Sequence, residues 1–496
     1  MSGGGRPFVR GVLAGALAVA AVSCARQKAG AGRRLPAGDA IYLSAGLGAD
    51  PSDPERILER GAFGHVLLPA VDLSEGGGWK AEERAAPARP VARMPVVLVV
   101  AAGPGFDAAL AETGADALAA RIGDALSRAL SHRTAFGAVE GVALDLPFSE
   151  PRTEAFGALA TRVRSRLPAD LFLLAALRDS PNEKARPDFL RHLSAADGFL
   201  AAVFGQTAGA DPVAIDALGK PWWALYAPSA RGEWTDASGA RHVLFEGALA
   251  ALTDDARASL SHDLELSESG TSGFVFHVSA PFEVPGGRLA AGDTASFHQP
   301  ALSELMYRLG SDLSGKKFVR GRIVKLDGAA ESDRLLTLEA VSDVLQGRPL
   351  LPDLRVSVAR EGASLRISAA NVTPHASLVS RTANWVEVDV PSGHIRDVTL
   401  GGFDRYEVFD ADGRPVTPGR ATRVQLFETL VGPREKLEDA AIIVAGRLPG
   451  DCCRFRQHLL AASGQELTGD WVAPPPEPTP IPPRGKPKAK GALRKR

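Results

Sequence analysis

Asp145 is the residue whose surroundings say most about chemistry. It lies in the run Val139-Glu140-Gly141-Val142-Ala143-Leu144-Asp145-Leu146-Pro147, where Val142, Leu144 and Leu146 alternate with Gly141, Ala143 and Asp145. In an extended strand the first set faces one way and the second the other. One face is bulky and aliphatic, and the opposite face is small and ends in a carboxylate. An inner strand of a parallel barrel looks like this when it delivers an acid to the C-terminal mouth. Other apolar runs also end in polar groups. Asp72, Arg178-Asp179 and Gln206 follow three of them, Tyr226 closes another in phase with Trp222, and His277 and Ser279 share a face, with Glu283 just beyond. Carboxylates accept from hydroxyls and planar rings stack on apolar faces, so this mixture suits carbohydrate recognition. The candidate catalytic groups are Asp145, Asp72 and Glu283. The candidate binding groups are Trp222, Tyr226, His277, Arg178, Gln206 and Trp79. Plainer roles compete: Asp72 and Asp179 as helix caps, His277 as a core histidine, and Trp222 and Trp223 as packing. No stretch has zinc-site spacing, and no P-loop, G-x-S-x-G or H-E-x-x-H motif is present, so neither a metal nor a cofactor is expected.

Eight strand-like runs supply these ends: Ala40–Ala45, His65–Val71, Val96–Ala101, Val139–Leu146, Leu171–Leu177, Gly198–Phe204, Trp222–Tyr226 and Gly273–Val278. Amphipathic segments lie between most of them, Gly114–Ser131 and Thr153–Leu167 being the clearest. Strands alternating with helices imply parallel pairing through right-handed crossovers, here a (β/α)8 TIM-like barrel over residues 38–315. An open doubly wound sheet is disfavoured, because no G-x-G-x-x-G turn follows the first strand. Ser74 to Arg93 carries three consecutive glycines and reads as a long loop at the mouth with Trp79 near its tip.

The organising run resembles the fourth-strand signature of chitinase-like glycoside hydrolases, a series of acids at alternate positions that ends in a catalytic Glu. Glu140-Gly141 matches its opening, Asp145 falls on the last Asp of the series, Ala143 replaces an acid, and Pro147 stands where the general-acid Glu belongs. The wider layout is similar to an uncharacterised family of bacterial envelope barrels related to glycosidases. The resemblance implies a sugar-handling barrel whose proton donor is missing from this strand. Glycosidic cleavage needs a carboxylic acid to protonate the leaving oxygen, and Pro cannot do so.

The rest of the chain sets context. Arg6 and Arg10, the apolar run Gly11 to Val22 and Ala21-Val22-Ser23-Cys24 read as a signal segment ending in a lipobox. Residues 1–24 are thus expected to be a leader, with a lipid on Cys24 and a membrane as partner. Residues 25–37 read as a tether. Beyond residue 315, short alternating strands separated by turn residues predict an immunoglobulin-like β-sandwich over 316–472. From residue 473 a proline run passes into seven Lys and Arg with no acid among them, a tail suited to an anionic lipid or envelope polymer. The net charge of −1 argues against a nucleic-acid footprint. Cys452 and Cys453 are expected as thiols rather than a disulfide scaffold. Two functions follow: an envelope lipoprotein whose barrel binds or hydrolyses a glycan, or a non-catalytic binding or scaffolding lipoprotein.

Overall fold

The structure, a computed structural model, describes residues 35–474 apart from 45–57, 59–62, 76–78, 88–90, 104, 206–208, 237, 245, 255–256, 265–270, 285–286, 301, 312, 329–334, 446–447 and 449–451. The expected leader, Cys24, most of the tether, Gln206 and nearly all of the basic tail lie outside the described residues. The chain forms two compact units, one reaching Leu350 and one beginning at Leu351.

The first unit is a closed barrel of eight parallel strands: β1 (Ala40–Leu43), β2 (His65–Glu75), β3 (Val91–Ala102), β4 (Gly137–Asp145), β5 (Phe172–Leu177), β6 (Gly198–Phe204), β7 (Trp222–Tyr226) and β8 (Val319–Leu326). Each pairs with its successor, and β1 pairs with both β2 and β8, which closes the ring. The side-chain alternation read from β4 holds. Ala143 lies in the lumen cluster with Phe172, Leu174 and Trp223, while Val142, Leu144 and Leu146 are buried on the helical side. Gly141 is required there, because a Cβ would come within 2.2 Å of the Phe172 ring that fills the lumen beneath it. Helices cover the outside as their apolar periodicity demands: Ala115–Ser131 buries Leu118, Ile122, Leu126 and Ala129, and Thr153–Arg166 buries Phe156, Leu159 and Val163.

The eighth strand corrects the sequence reading. Gly273–Val278, read as the closing barrel strand, is part of Thr271–Val278 in a separate five-stranded antiparallel sheet with Arg231–Thr235, Arg241–Leu244, Ala258–Leu264 and Thr294–Pro300. This sheet is inserted between β7 and β8. Val319–Leu326 closes the barrel, so the barrel extends past residue 315, where it was expected to end. The segment Ser74–Arg93 also differs from the loop expected. β2 continues to Glu75, and Trp79–Glu83 returns against it as an antiparallel strand.

The second unit is all β. A four-stranded sheet containing Leu354–Glu361, Ser364–Asn371, Ile395–Thr399 and Lys436–Val444 and a five-stranded sheet containing Trp385–Asp389, Arg405–Phe409, Arg423–Phe427, Arg454–Leu460 and Glu466–Thr468 share one apolar core. Asn371 is a turn former, buried and donating to the carbonyls of His375 and Gly432 at 2.7 Å each, with the Thr373 hydroxyl donating to it at 2.9 Å. Cys452 and Cys453 are buried thiols with sulfurs 3.2 Å apart.

Candidate functional site

The C-terminal end of the lumen is closed by a polar layer built on Asp145. Its carboxylate is 3% exposed and reaches across the ring. Arg178, one residue beyond β5, donates to Oδ1. The Tyr42 hydroxyl from β1 donates to Oδ2 at 3.0 Å, and Lys325 Nζ from β8 donates to the same oxygen at 3.1 Å. Lys325 also lies 4.8 Å from the centroid of the Tyr42 ring. Tyr42 and Lys325 are register partners on the closing seam, which is why two residues so distant in sequence meet the same carboxylate. All four continue the lumen-facing phase set lower down by Ala40, Ala143, Leu174 with Ala176, and Ile323.

The electrostatics follow from this packing. Burial alone would push the Asp145 carboxyl up, but the charges of Arg178 and Lys325 and the hydrogen bonds from Lys325 and Tyr42 outweigh it and hold the group well below the usual carboxylate range. Tyr42 moves the other way: burial and the neighbouring Asp145 charge raise its phenol well above the ordinary value. Asp145 is therefore a fixed anion and Tyr42 a fixed donor.

A rim surrounds this layer. Asp327 follows β8 on the lumen-facing phase and accepts from the Ser44 hydroxyl at the end of β1, while its backbone N–H donates to Ser229 Oγ at 3.2 Å. Arg84 pairs with Asp72 and donates to the Ser44 carbonyl at 3.1 Å. Beyond Asp145, the chain is drawn onto the helical layer. Phe148 stacks on Phe156 with centroids 4.0 Å apart, and the Ser149 N–H donates to Asp107 at 3.0 Å. Pro147 thus occupies the point where the strand leaves the lumen, and Glu150 is exposed in the following turn. Among the described residues no group of three His, Cys, Asp or Glu is placed to hold a metal ion.

Of the candidate site residues, the structure brings Asp145 and Arg178 into direct contact and sets Asp72 in the rim. The others go elsewhere. Trp222 and Tyr226 are fully buried on the outer phase of β7, since Trp223 and Leu225 occupy its lumen phase; the Trp222 indole donates to Asp216 at 3.0 Å. Trp79 is buried, its carbonyl accepting from Arg121 and its ring lying where a Cβ on Gly105 would approach to 3.2 Å. His277 is on the inserted sheet, its Nδ1 3.2 Å from the Thr294 hydroxyl. Glu283 is 75% exposed on a two-stranded hairpin, 3.6 Å from Arg288. The catalytic assignment of Glu283 and the aromatic lining by Trp222, Tyr226 and His277 therefore do not describe this mouth. Tyr42, Lys325, Asp327, Ser44 and Arg84 were not singled out. Lys325-Leu326-Asp327 shares with the β4 run a strand end that places polar groups on the lumen phase, here above Ile323.

The chain matches no known protein family and no curated protein. Among solved structures it is similar to the spore cortex-lytic enzyme SleL of Bacillus cereus, with 11% identity over 63% of this chain and 74% of that one, at a TM-score of 0.35. It is also similar to a GH18 chitinase from Cycas revoluta crystallised with (GlcNAc)4, with 9% identity over 63% of this chain and 98% of that one, at the same score. A third, BuGH86 in complex with neoagarooctaose, is 10% identical over 70% of this chain and 61% of that one, with a TM-score of 0.23.

Proposed function

We propose that the barrel binds a glycan at its C-terminal mouth without cleaving it. The observation that carries this reading is the state of Asp145. Its two oxygens are taken up by Arg178, Tyr42 and Lys325, and its proton is held off by two cations. A glycosidase acid must carry a proton near neutral pH, which requires a raised pKa. Asp145 has the opposite, and the position two residues on is Pro147. What favours sugar as the ligand is twofold. The run that resembles the chitinase-like signature is the fourth strand of the closed ring, and it ends in the lumen, as that resemblance implies. The rim around it is a set of hydroxyls, carboxylates and guanidinium groups suited to hydroxyl-bearing ligands. We place the protein in a bacterial envelope as a lipoprotein, anchored through Cys24 and touching anionic polymer or lipid through its tail; the support for this is the sequence of the two termini.

The test is one preparation with two readings. Purified protein is titrated with cell-wall and exopolysaccharide glycans, and the same mixtures are assayed for new reducing ends. Saturable binding without reducing-end release is expected. Release that disappears in Asp145→Asn would make the protein a hydrolase. Mass analysis of the membrane fraction should find diacylglycerol on Cys24, and an unmodified Cys24 in mature protein would remove the anchor.

A further inference from the structure

We infer that Asp327, rather than Asp145, is the carboxylate that meets the ligand, and that the ligand it selects is an uncharged, hydroxyl-rich sugar. This deepens the glycan-binding reading and rests on it. Among the described residues, the polar layer and rim hold three carboxylates, Asp145, Asp72 and Asp327, and three cations, Arg178, Lys325 and Arg84. Arg178 and Lys325 are both spent on Asp145, and Arg84 is spent on Asp72. Asp327 differs from the other two acids. Its described partners are hydroxyls: Ser44 donates to Oδ1, and Ser229 accepts from its backbone N–H. A carboxylate offers about four acceptor positions, so a single serine leaves most of that capacity open.

Position and rigidity agree with this role. Asp327 is half-buried on the lumen phase of β8, two residues beyond Lys325 and four beyond Ile323. Gly328, with φ +99°, follows it directly. Its charge adds to the rise of the buried Tyr42 phenol. Ser44, which orients it, is itself fixed: its N–H donates to the Leu326 carbonyl at 3.0 Å and its carbonyl accepts from Arg84 at 3.1 Å. A side chain locked before the ligand arrives loses little freedom on binding.

The charge balance then selects the ligand. Each described cation at the mouth already has a carboxylate, so an acidic sugar would meet Asp327 without a compensating cation. A neutral sugar instead offers hydroxyl donors to a carboxylate that lacks a cationic partner among the described residues. Hydrogen bonds to a charged group are the stronger kind.

The full chain is titrated calorimetrically with neutral oligomers of glucose, galactose and N-acetylglucosamine and with oligogalacturonate, in wild type, Asp327→Asn and Ser44→Ala. Thermal unfolding verifies that each variant is folded. At least one neutral oligomer should bind and oligogalacturonate should not. Asp327→Asn should weaken the neutral ligand by about 10-fold or more, with Ser44→Ala losing less. Unchanged neutral binding in folded Asp327→Asn, or tighter binding of oligogalacturonate than of any neutral oligomer, overturns this inference while leaving glycan binding in place. If wild type binds none of the oligomers or glycans tested, the glycan reading falls and the inference falls with it.

Discussion

Asp145 is held from three strands at once, and that is what separates it from a working acid. Two of its partners, Tyr42 and Lys325, are 103 and 180 residues away in the chain. The inward direction of Asp145 was legible from the alternation of Gly141, Ala143 and Asp145 with aliphatic neighbours. Its neutralisation was not, because the register of the β1–β8 seam brings those partners in. His65 shows the same contrast. It reads as an ordinary first residue of an apolar run, yet it is 1% exposed, meets Trp223 edge to face at 6.2 Å, and burial lowers its imidazole to about 4, with Asp39 opposing. The folded state therefore keeps His65 neutral where the unfolded chain takes up a proton. Stability is full above the unfolded value of about 6.5 and is lost as pH falls towards 4. Urea unfolding at pH 7 and pH 4.5 should show wild type losing about 2 kcal/mol more than His65→Gln over that interval. Equal losses in both proteins would show that the imidazole is not responsible.

At the scale of elements, β8 is the instructive case. Val319–Leu326 contains Arg320, Arg322 and Lys325 and looks like a polar junction, whereas Thr271–Val278 looks like a buried strand. The polar side chains of β8 are tolerated because Arg320 is exposed and the other two have acidic counterparts. Arg322 pairs with Asp39 on the outer phase and Lys325 with Asp145 on the lumen phase. Local hydropathy cannot register an ion pair across a barrel, so the eighth strand was assigned to the inserted sheet and its Asp327 was passed over. Trp222 and Tyr226 were misplaced for a related reason. Periodicity puts them on one face of β7 but does not say which face is the lumen; Asp216, accepting from the Trp222 indole, shows that it is the outer one. The β4 face was legible because only small residues fit against Phe172. Gly141→Ala should cost about 1–3 kcal/mol by overpacking, read as a lower midpoint of thermal unfolding, and Phe172→Leu in the same chain should recover part of it. No loss in the single variant would mean that the ring has room to move.

For the molecule as a whole, repeated strand and helix patterns over about 270 residues made the barrel legible, since few folds satisfy that alternation at that size. Short strands between turn residues likewise marked the second, all-β unit. The insertion between β7 and β8 escaped, because one of its strands, Thr271–Val278, has the length and apolarity of a barrel strand and pairs antiparallel instead. No described helix is long and apolar enough to cross a membrane. The proposed attachment to a membrane rests on the sequence around Cys24 and on the basic tail.

The central claim, that the acid on the fourth strand is a permanent anion in a binding site, is tested most directly by following the Asp145 carboxyl carbon by 13C NMR between pH 8 and pH 3. The carboxylate should show no titration step through the ordinary aspartate range, about pH 4, because Arg178 and Lys325 hold its proton off. A step between about pH 5 and 7, where a general acid must titrate, would contradict the account.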